Sequence, residues 1–210
     1  MIISLIHPSR GRPFKAKQAI QKWIDKSTGV HEIEHIISLD TDDKRLHLYK
    51  KLFTNPIISD NDCVVEATNK AAKQAKGEIL IYLSDDFDCP QNWDLLILNK
   101  FINEPMCLKV DDCLTKFETD IVTIPIMNRA LYEKLGYFWN PIYKSMYVDQ
   151  DLYWTCFNNG WLVNEPELKF PHNHYCNRKA PKDETYIRTD RHTSTGKVIF
   201  EQRKKENFPL

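Results

Sequence analysis

Three carboxylates lie within four positions of the chain, directly after a short apolar run. Residues 77–90 read GEILIYLSDDFDCP, and their acids are Asp85, Asp86 and Asp88. Carboxylates this close repel one another unless a cation joins them, and hard oxygen ligands suit Mg²⁺ or Mn²⁺. The stretch therefore predicts a metal and diphosphate site. A solvated acidic turn is the alternative, because Asp also favours turns.

Two further sets of polar residues follow predicted strands. The first is the loop HPSRGRP, in which His7, Ser9, Arg10 and Arg12 are candidate donor-binding residues. Guanidinium groups bind diphosphates through paired hydrogen bonds, although solvated loop charges explain the two arginines equally well. The second is Asp40, because an acid just beyond a strand accepts hydrogen bonds from a ribose hydroxyl or a base edge.

The apolar pattern predicts alternating strands and helices in the first half of the chain. Residues 79–83 form a continuous apolar run, typical of a strand buried on both faces of a sheet. Apolar or small residues at helical spacing mark 14–26 and 62–76, and a glycine ends the second helix. Further predictions are strands at 2–7 and 34–39, a short helix at 44–53 and a short strand within 57–62. This alternation predicts an α/β fold whose ligands bind at the carboxyl ends of the strands.

Composition bounds the class of protein. The chain has 210 residues with 29 basic and 29 acidic side chains, so no global charge favours nucleic acid or an anionic membrane surface. No apolar window reaches about 18 residues and no signal-peptide pattern is present, so we expect a cytoplasmic protein with no membrane span. The six cysteines form no CxxC pair, so we expect free thiols rather than disulfides or a zinc site.

The helix and strand that lead to the acidic stretch resemble those of GT-A glycosyltransferases, in particular family 2. The likeness is carried by Asn69, by the small residues that end at Gly77, by the run ILIYLSDDFD and by SLDTDD after the preceding strand. It implies a Rossmann-like, mixed and mostly parallel sheet flanked by helices. It also implies that Asn69, Lys73, Asp85 and Asp86 contact a nucleotide-sugar donor.

The DxD motif of that family binds the metal and the donor diphosphate, and it fits the acidic stretch in two registers. In one, Ser84 stands at the first Asp of the motif and Asp86 at the metal-binding Asp. In the other, Asp86 and Asp88 form a literal DxD. Asp86 belongs to both registers, and the sequence leaves open whether its partner is Asp85 or Asp88.

The second half of the chain extends the resemblance. Residues 120–125 (DIVTIP) are predicted as a strand and 128–136 as a helix that ends in glycine. Residues 148–152 (VDQDL) resemble the Glu-Asp-x-Asp-Leu helix start of the family, with Val148 in place of the Glu. The first Asp of that motif is the general base of inverting members, which implies this role for Asp149. The alternative for Asp149 and Asp151 is a helix amino terminus, where Asp is stabilised by the dipole.

Late residues supply further candidates. Several GT-A enzymes complete the metal site with a histidine near the carboxyl terminus, and His172 and His174 would face one side of an extended segment. Packing or surface roles explain both histidines equally well. The tail from residue 176 is locally basic, with Arg178 among its cations, and residues 186–196 are a candidate lid.

We therefore expect a single GT-A domain over residues 1–210. Residues 1–100 would bind the nucleotide sugar, 101–175 the acceptor, and 176–210 would form a basic tail or lid. The expected activity is transfer of a sugar from a UDP-sugar to a hydroxyl group, with Mn²⁺ or Mg²⁺ and with inversion. Glycans, lipid-linked sugars, proteins and modified nucleobases all carry such hydroxyls, so nucleic acid stays among the candidate partners. The alternatives are a non-catalytic glycan- or nucleotide-binding module and, ranked lower, a sugar-phosphate nucleotidyltransferase.

Overall fold

The computed structural model describes residues 1–102, 104–177, 179 and 181–210 of the chain. Its strands are β1 (Ile2–Pro8), β2 (Glu32–Asp40), β3 (Ile57–Ser59), β4 (Ile79–Tyr82), β5 (Cys107–Asp111), β6 (Ile126–Asn128) and β7 (Leu162–Lys169). Its α-helices are α1 (Pro13–Asp25), α2 (Leu46–Leu52), α3 (Val64–Gln74), α4 (Trp93–Leu98), α5 (Arg129–Leu135), α6 (Val148–Asn158), α7 (Glu184–Asp190) and α8 (Thr193–Lys205). One turn of 3₁₀-helix covers Tyr175–Asn177.

The strands form one sheet in the order β3-β2-β1-β4-β6-β5-β7. β1 pairs in parallel with β2 and β4, whereas β6 runs antiparallel to both of its neighbours. The sheet is therefore mixed and mostly parallel, and the predicted fold class is confirmed. The chain passes from β1 to β2 and β3 on one side, then returns through α3 to β4 on the other. This reversal makes the carboxyl ends of β1 and β4 the point at which open α/β sheets bind ligands.

Two apolar layers bury the central strands. Alternate residues of β4 belong to different layers, because side chains alternate across a strand. Ile79 and Ile81 pack in one layer with Trp23, and Leu80 packs in the other with Ala71. Ile79, Leu80 and Ile81 are each at most 2% exposed. The prediction of a strand buried on both faces is confirmed.

Gly77 allows the chain to enter β4 in close contact with β1. Its N–H donates a hydrogen bond to Ser4 Oγ at 2.8 Å. A Cβ at this position would lie 2.6 Å from that oxygen and 2.7 Å from the Ser4 nitrogen. The contact includes backbone, which cannot yield without parting β1 from β4. The glycine therefore fixes the start of β4 and, with it, the level at which the acidic stretch leaves the sheet.

Most predicted elements are confirmed within a few residues at each end. In α5, Asn128 caps the amino terminus and Gly136 takes the left-handed conformation at the carboxyl terminus, as expected for the helix predicted over 128–136. The strand predicted over 120–125 is wrong, because the strand at this place is β6. Pro125 has no N–H for a ladder, and pairing with β4 begins only at Ile126.

Helix α8 is fastened to α6 by a buried ion pair. Arg203 Nε donates to Asp151 Oδ1 at 2.7 Å, and the two side chains are 10% and 1% exposed. Asp151 also accepts hydrogen bonds from Tyr143 and Asn140. The pair therefore holds the last helix against the helix whose first turn contains Asp149.

Two expectations from the sequence concern the cysteines and the absence of a membrane span. All six cysteines are described, and all are free thiols, as predicted. Cys89, Cys107 and Cys156 are buried, so they pack as small apolar side chains. Among the described residues, no helix combines the length and the apolar character needed to cross a bilayer.

Arg203→Met is expected to destabilise the protein, because the variant leaves Asp151 charged and buried without its cation. Loss of one partner of a buried ion pair costs about 3–5 kcal/mol, which urea unfolding followed by circular dichroism would measure. Lys204→Met is the matched control, because it removes a cation from the neighbouring exposed position. Its free energy of unfolding should change by less than about 0.5 kcal/mol. Equal losses in the two variants would contradict the role given to the ion pair.

Candidate active site

A pocket opens at the carboxyl ends of β1, β2 and β4. Its cavity volume is about 270 Å³. The strand ends contribute Ser9, Arg10, Arg12, Asp40, Ser84, Asp85 and Asp86 to its lining. Later parts of the chain contribute Asp149, His172, His174, Tyr186 and Arg188. The pocket thus gathers most of the predicted site residues where the strand order reverses.

The two carboxylate oxygens of Asp86 have different surroundings. Its Oδ2 accepts a hydrogen bond from the Tyr186 hydroxyl at 2.7 Å and lies 3.3 Å from His172 Nε2. Its buried Oδ1 has no hydrogen-bond partner of normal geometry among the described residues. Burial alone would raise the pKa of Asp86, but the hydrogen bonds from His172 and Tyr186 hold that pKa below its ordinary value. Asp86 is therefore an ionised carboxylate whose buried Oδ1 has no hydrogen bond of normal geometry within the described part of the chain.

Backbone contacts place His172 beside Asp86. Phe87 and His172 form an antiparallel bridge, and the Asn173 N–H donates to the Asp86 carbonyl at 2.8 Å. The His172 ring packs edge-on against Phe87, with centroids 4.7 Å apart, and lies 4.9 Å from the His174 ring. The segment that carries both histidines is thus tied to the acidic stretch, and both rings line the same pocket.

Asp85 is held by the end of β1. Ser9 Oγ donates to its Oδ1 at 2.8 Å, and His7 Nε2 lies 3.0 Å from the same oxygen. His7 is fully buried, and its Nδ1 lies 3.0 Å from His35 Nε2. Burial and the neighbouring His7 lower the pKa of His35 to about 2, so His35 is neutral. A chain of side chains therefore runs from β2 through His7 to Asp85 and fixes the orientation of that carboxylate.

Arg10 and Arg12 reach the pocket already paired with carboxylates. Arg10 NH1 donates to Asp40 Oδ2 at 2.6 Å, and both terminal nitrogens of Arg10 also bind Asp42. Arg12 donates through Nε and NH2 to the two oxygens of Asp183, at 2.7 and 2.6 Å. Each guanidinium is therefore set in the bidentate geometry that phosphates also accept.

Asp149 lies in the first turn of α6 on the wall of the same pocket. Its Oδ1 accepts a hydrogen bond from the Gln150 N–H at 3.0 Å. Burial raises the pKa of Asp149 to about 6, with a smaller contribution from Asp112. A carboxylate with this pKa can accept a proton at neutral pH and release it again.

Four predicted residues do not line the pocket. One is His7, which is fully buried and lies 3.0 Å from Asp85. Asp88 follows Asp86 by two positions, but its Oδ1 accepts a hydrogen bond from Lys26 Nζ at 2.7 Å. Asn69 uses its amide on the backbone, because its Nδ2 donates to the Trp139 carbonyl and its Oδ1 accepts the Trp139 N–H. Lys73 is exposed on α3. The metal role predicted for Asp88 and the direct donor roles predicted for His7, Asn69 and Lys73 are therefore left out of the candidate site.

The sequence does not single out Tyr186 or Arg188 as binding residues. Tyr186 lies 100 positions from Asp86 along the chain, so no local pattern relates the two. A local signal for α7 exists in Asp183, whose side chain accepts the Thr185 and Tyr186 N–H groups as an N-cap. That signal predicts a helix but not its docking place. The predicted lid over 186–196 spans the end of α7 and the start of α8, and Arg178 of the basic tail lies outside the described residues.

The residues present fit a hard divalent cation together with a phosphate-bearing ligand. Within the described ranges, no group of three or more His, Cys, Asp or Glu side chains is placed to hold a metal ion. Mg²⁺ is usually bound through one or two carboxylates together with substrate phosphates. The Asp86 carboxylate supplies such a partial set, because its Oδ1 has no hydrogen bond to the described residues and its Oδ2 lies 3.3 Å from His172 Nε2. Cation binding here is therefore expected to depend on the phosphate ligand.

Solved structures of known proteins share this fold. The mannosyltransferase PcManGT from Pyrobaculum calidifontis, solved with GDP-Man and Mn²⁺, is 16% identical with a TM-score of 0.65, over 94% of this chain and 64% of that one. TarS 1-349 from S. aureus, solved with UDP, is 18% identical with a TM-score of 0.59, over 81% of this chain and 60% of that one. The same fragment with UDP-GlcNAc is 15% identical with a TM-score of 0.60, over 93% and 66%.

These likenesses establish the fold. The chain has a GT-A-like glycosyltransferase fold and spans between 60% and 66% of the length of these three structures. No protein-family model matches the chain, and no curated protein sequence matches it.

Asp149→Asn is expected to stabilise the folded protein more at pH 7 than at pH 4.5. The pKa of Asp149 rises from 3.8 to about 6 on folding, so the folded state binds the proton more tightly than the unfolded chain does. The resulting stability is complete below the lower pKa and is lost as the pH rises through the higher one. Asn carries no charge at either pH. Calorimetric Tm differences between variant and wild type that are equal at both pH values would contradict the raised pKa.

Proposed function

We propose that this protein is a metal-dependent glycosyltransferase that moves a sugar from a nucleotide-sugar donor, a UDP-sugar, to a hydroxyl acceptor with inversion. One observation carries the proposal: a single pocket at the switch point of a GT-A-like sheet holds two separate carboxylates in different states. Asp86 is ionised and has one oxygen without a hydrogen bond among the residues that the structure describes, whereas Asp149 has a pKa of about 6. The Asp86 carboxylate can bind a cation, and the Asp149 carboxylate can accept a proton.

The donor side of the proposed site is built on the strand ends. Asp86 and His172 would hold Mn²⁺ or Mg²⁺, and Arg10 and Arg12 would bind the diphosphate. Asp40, at the end of β2, would accept a hydrogen bond from the ribose or the base. When bound, the cation neutralises charge that builds on the leaving diphosphate. His7 and Ser9 contribute by holding Asp85, which keeps the two strand ends in register.

The acceptor side of the proposed site is built on α6. Asp149 would remove the proton from the acceptor hydroxyl while that oxygen attacks the anomeric carbon from the face opposite the diphosphate. Its pKa of about 6 supports this role, because the carboxylate is charged at neutral pH yet basic enough to share a proton. Residues 101–175 would shape the acceptor site around this group.

The ligands of the similar structures support the proposed donor class. Two of the three structures hold a uridine nucleotide, and the third holds GDP-Man with Mn²⁺. We favour UDP on this ground and make GDP the first competing ligand to test. The acceptor is a hydroxyl on a glycan, a lipid-linked sugar, a protein or a modified nucleobase. Six free thiols fit the reducing cytoplasm, which is the proposed location.

Asp86→Asn is expected to abolish metal-dependent nucleotide binding, because it removes the charge that the cation needs. A thermal-shift panel of UDP and GDP with and without Mn²⁺ measures this. A ligand at 100 times its Kd stabilises the wild type by about 2.7 kcal/mol. Asp88→Asn is the matched control, because Asp88 binds Lys26 and not the pocket. Loss of the response in the Asp88 variant alone would reverse the assignment.

Asp149→Asn is expected to keep donor binding and to lose transfer by about 10²- to 10⁴-fold in kcat, the usual contribution of a general base. In the wild type, kcat/KM should rise tenfold per pH unit at acid pH and level off above about pH 6, because the base must be deprotonated. Product analysis of UDP-sugar turnover at several pH values measures both effects. A variant with wild-type turnover, or a flat profile between pH 4.5 and 7, would place the base elsewhere.

A further inference from the structure

Helix α7 places the side chain of Tyr186 against Asp86, the carboxylate that would bind the cation in the proposed function. The Tyr186 hydroxyl donates to Asp86 Oδ2 at 2.7 Å, and Tyr186 is 7% exposed. Its ring lies 4.1 Å below the Arg12 guanidinium and packs edge-on against the His174 ring at 4.6 Å. Asp86 and Arg12, which would bind the cation and the donor, are thus both in contact with Tyr186, as is the neighbouring His174.

Asp183, the residue before α7, forms a paired hydrogen bond with the guanidinium of Arg12. Both oxygens of Asp183 accept hydrogen bonds from Arg12, at 2.7 and 2.6 Å. A diphosphate would use the same two nitrogens, because carboxylate and phosphate oxygens present similar paired acceptors to a guanidinium. Asp183 and a donor diphosphate are therefore competitors for Arg12.

Two cavities are lined in part by α7. The pocket at Asp86 has a volume of about 270 Å³, and a second cavity of about 930 Å³ has Asp183 and Glu184 in its lining. Thr185 and Arg188 of α7 line both cavities. Binding pockets for drug-sized ligands measure roughly 300–1,000 Å³. A nucleotide sugar, with base, ribose, two phosphates and a hexose, needs more room than the first cavity has, and α7 forms part of the wall between the two.

Helix α7 is held mainly by polar contacts. Tyr186 is the one buried residue of this seven-residue helix. Thr185 Oγ1 donates to the Arg10 carbonyl at 3.0 Å, and Arg188 NH1 lies 3.4 Å from Asp40 Oδ2. Segments with few buried apolar contacts open at low cost in free energy. The structure therefore allows α7 to leave while the sheet and its two apolar layers stay intact.

We propose that residues 183–190 form an autoinhibitory plug that a nucleoside diphosphate with a divalent cation displaces. Asp183 stands in for the diphosphate on Arg12. The Tyr186 hydroxyl occupies Asp86 Oδ2, the oxygen that His172 also faces, so a cation shared by Asp86 and His172 would compete with that hydroxyl. Donor binding exchanges these partners and releases α7 from the pocket. The plug rests on the proposed function, because it assumes that the donor binds at Asp86 and Arg12. The plug weakens donor binding, because the apparent Kd equals the Kd of the open protein divided by the fraction of molecules that are open.

Two variants are designed to open the plug, and neither changes a residue that is proposed to bind the donor or the cation. Tyr186→Phe deletes the hydroxyl and keeps the ring. Asp183→Asn weakens the pair with Arg12 and keeps an N-cap, since Asn caps helices as well as Asp does. Glu184→Gln is the matched control, because it removes the same charge one position later at an exposed residue. Each protein is titrated calorimetrically with UDP and with GDP in the presence of Mn²⁺.

The expected result is an affinity at least about fivefold tighter in Tyr186→Phe and Asp183→Asn than in the wild type, within the usual range of coupling between sites. Glu184→Gln should bind as the wild type does. Equal affinities in all four proteins would overturn the plug and leave the proposed function standing. Weaker binding in Tyr186→Phe would also overturn it, since Tyr186 would then be part of the closed donor site. No binding by any of the four proteins would overturn the proposed function and the plug together.

Hydrogen exchange supplies a second readout that does not depend on activity. Saturating UDP with Mn²⁺ should speed the exchange of the amides of residues 186–190 in the wild type and slow that of residues 84–87. The Tyr186→Phe protein should show fast exchange in α7 before ligand is added. Slower exchange of α7 on ligand binding would mean that the helix closes over the donor, and the plug would be wrong.

Discussion

The parallel pairing of β1 with β4 sets the position of every group in the candidate site. It brings the loop after β1 alongside the acidic stretch, so that Ser9 and His7 contact Asp85 across the pair. β1 also pairs with β2, which places Asp40 at the same edge. A shift of one residue in this register would turn each side chain of β4 to the opposite face. The apolar layers forbid such a shift, and the close approach of Gly77 to Ser4 fixes the start of the strand.

Sequence patterns predicted the first half of the chain well, because its helices and strands follow simple periods. The apolar run of β4 and the small residues of α3 predict a strand and a helix from the local sequence alone, without knowledge of what these elements pack against. The strands β5 and β7 were missed, and the strand near residue 120 was misplaced. Their hydrogen-bond partners lie far along the chain, and β7 has a mixed pattern with exposed residues. The choice between Asp85 and Asp88 also depended on distant partners, since Ser9 holds one and Lys26 holds the other.

Two acids in the first turn of α6 have different surroundings. Asp151 is surrounded by Arg203, Tyr143 and Asn140, which satisfy its charge and anchor α8. Asp149 receives a hydrogen bond from its neighbour Gln150, and burial raises its pKa to about 6. A sequence motif with both acids cannot distinguish them, because the difference lies in a residue about 50 positions away, Arg203.

The ion pair between α8 and α6 also decides how far α7 can travel. α7 ends at Asp190 and α8 begins at Thr193, so the helix of the proposed plug is joined by a very short linker to a helix that the ion pair anchors. A group tethered in this way competes as though dissolved at an effective concentration on the order of millimolar. Its return is a first-order event, independent of how much protein is present. Any molecule that occupies the pocket must therefore outcompete a neighbour that never diffuses away.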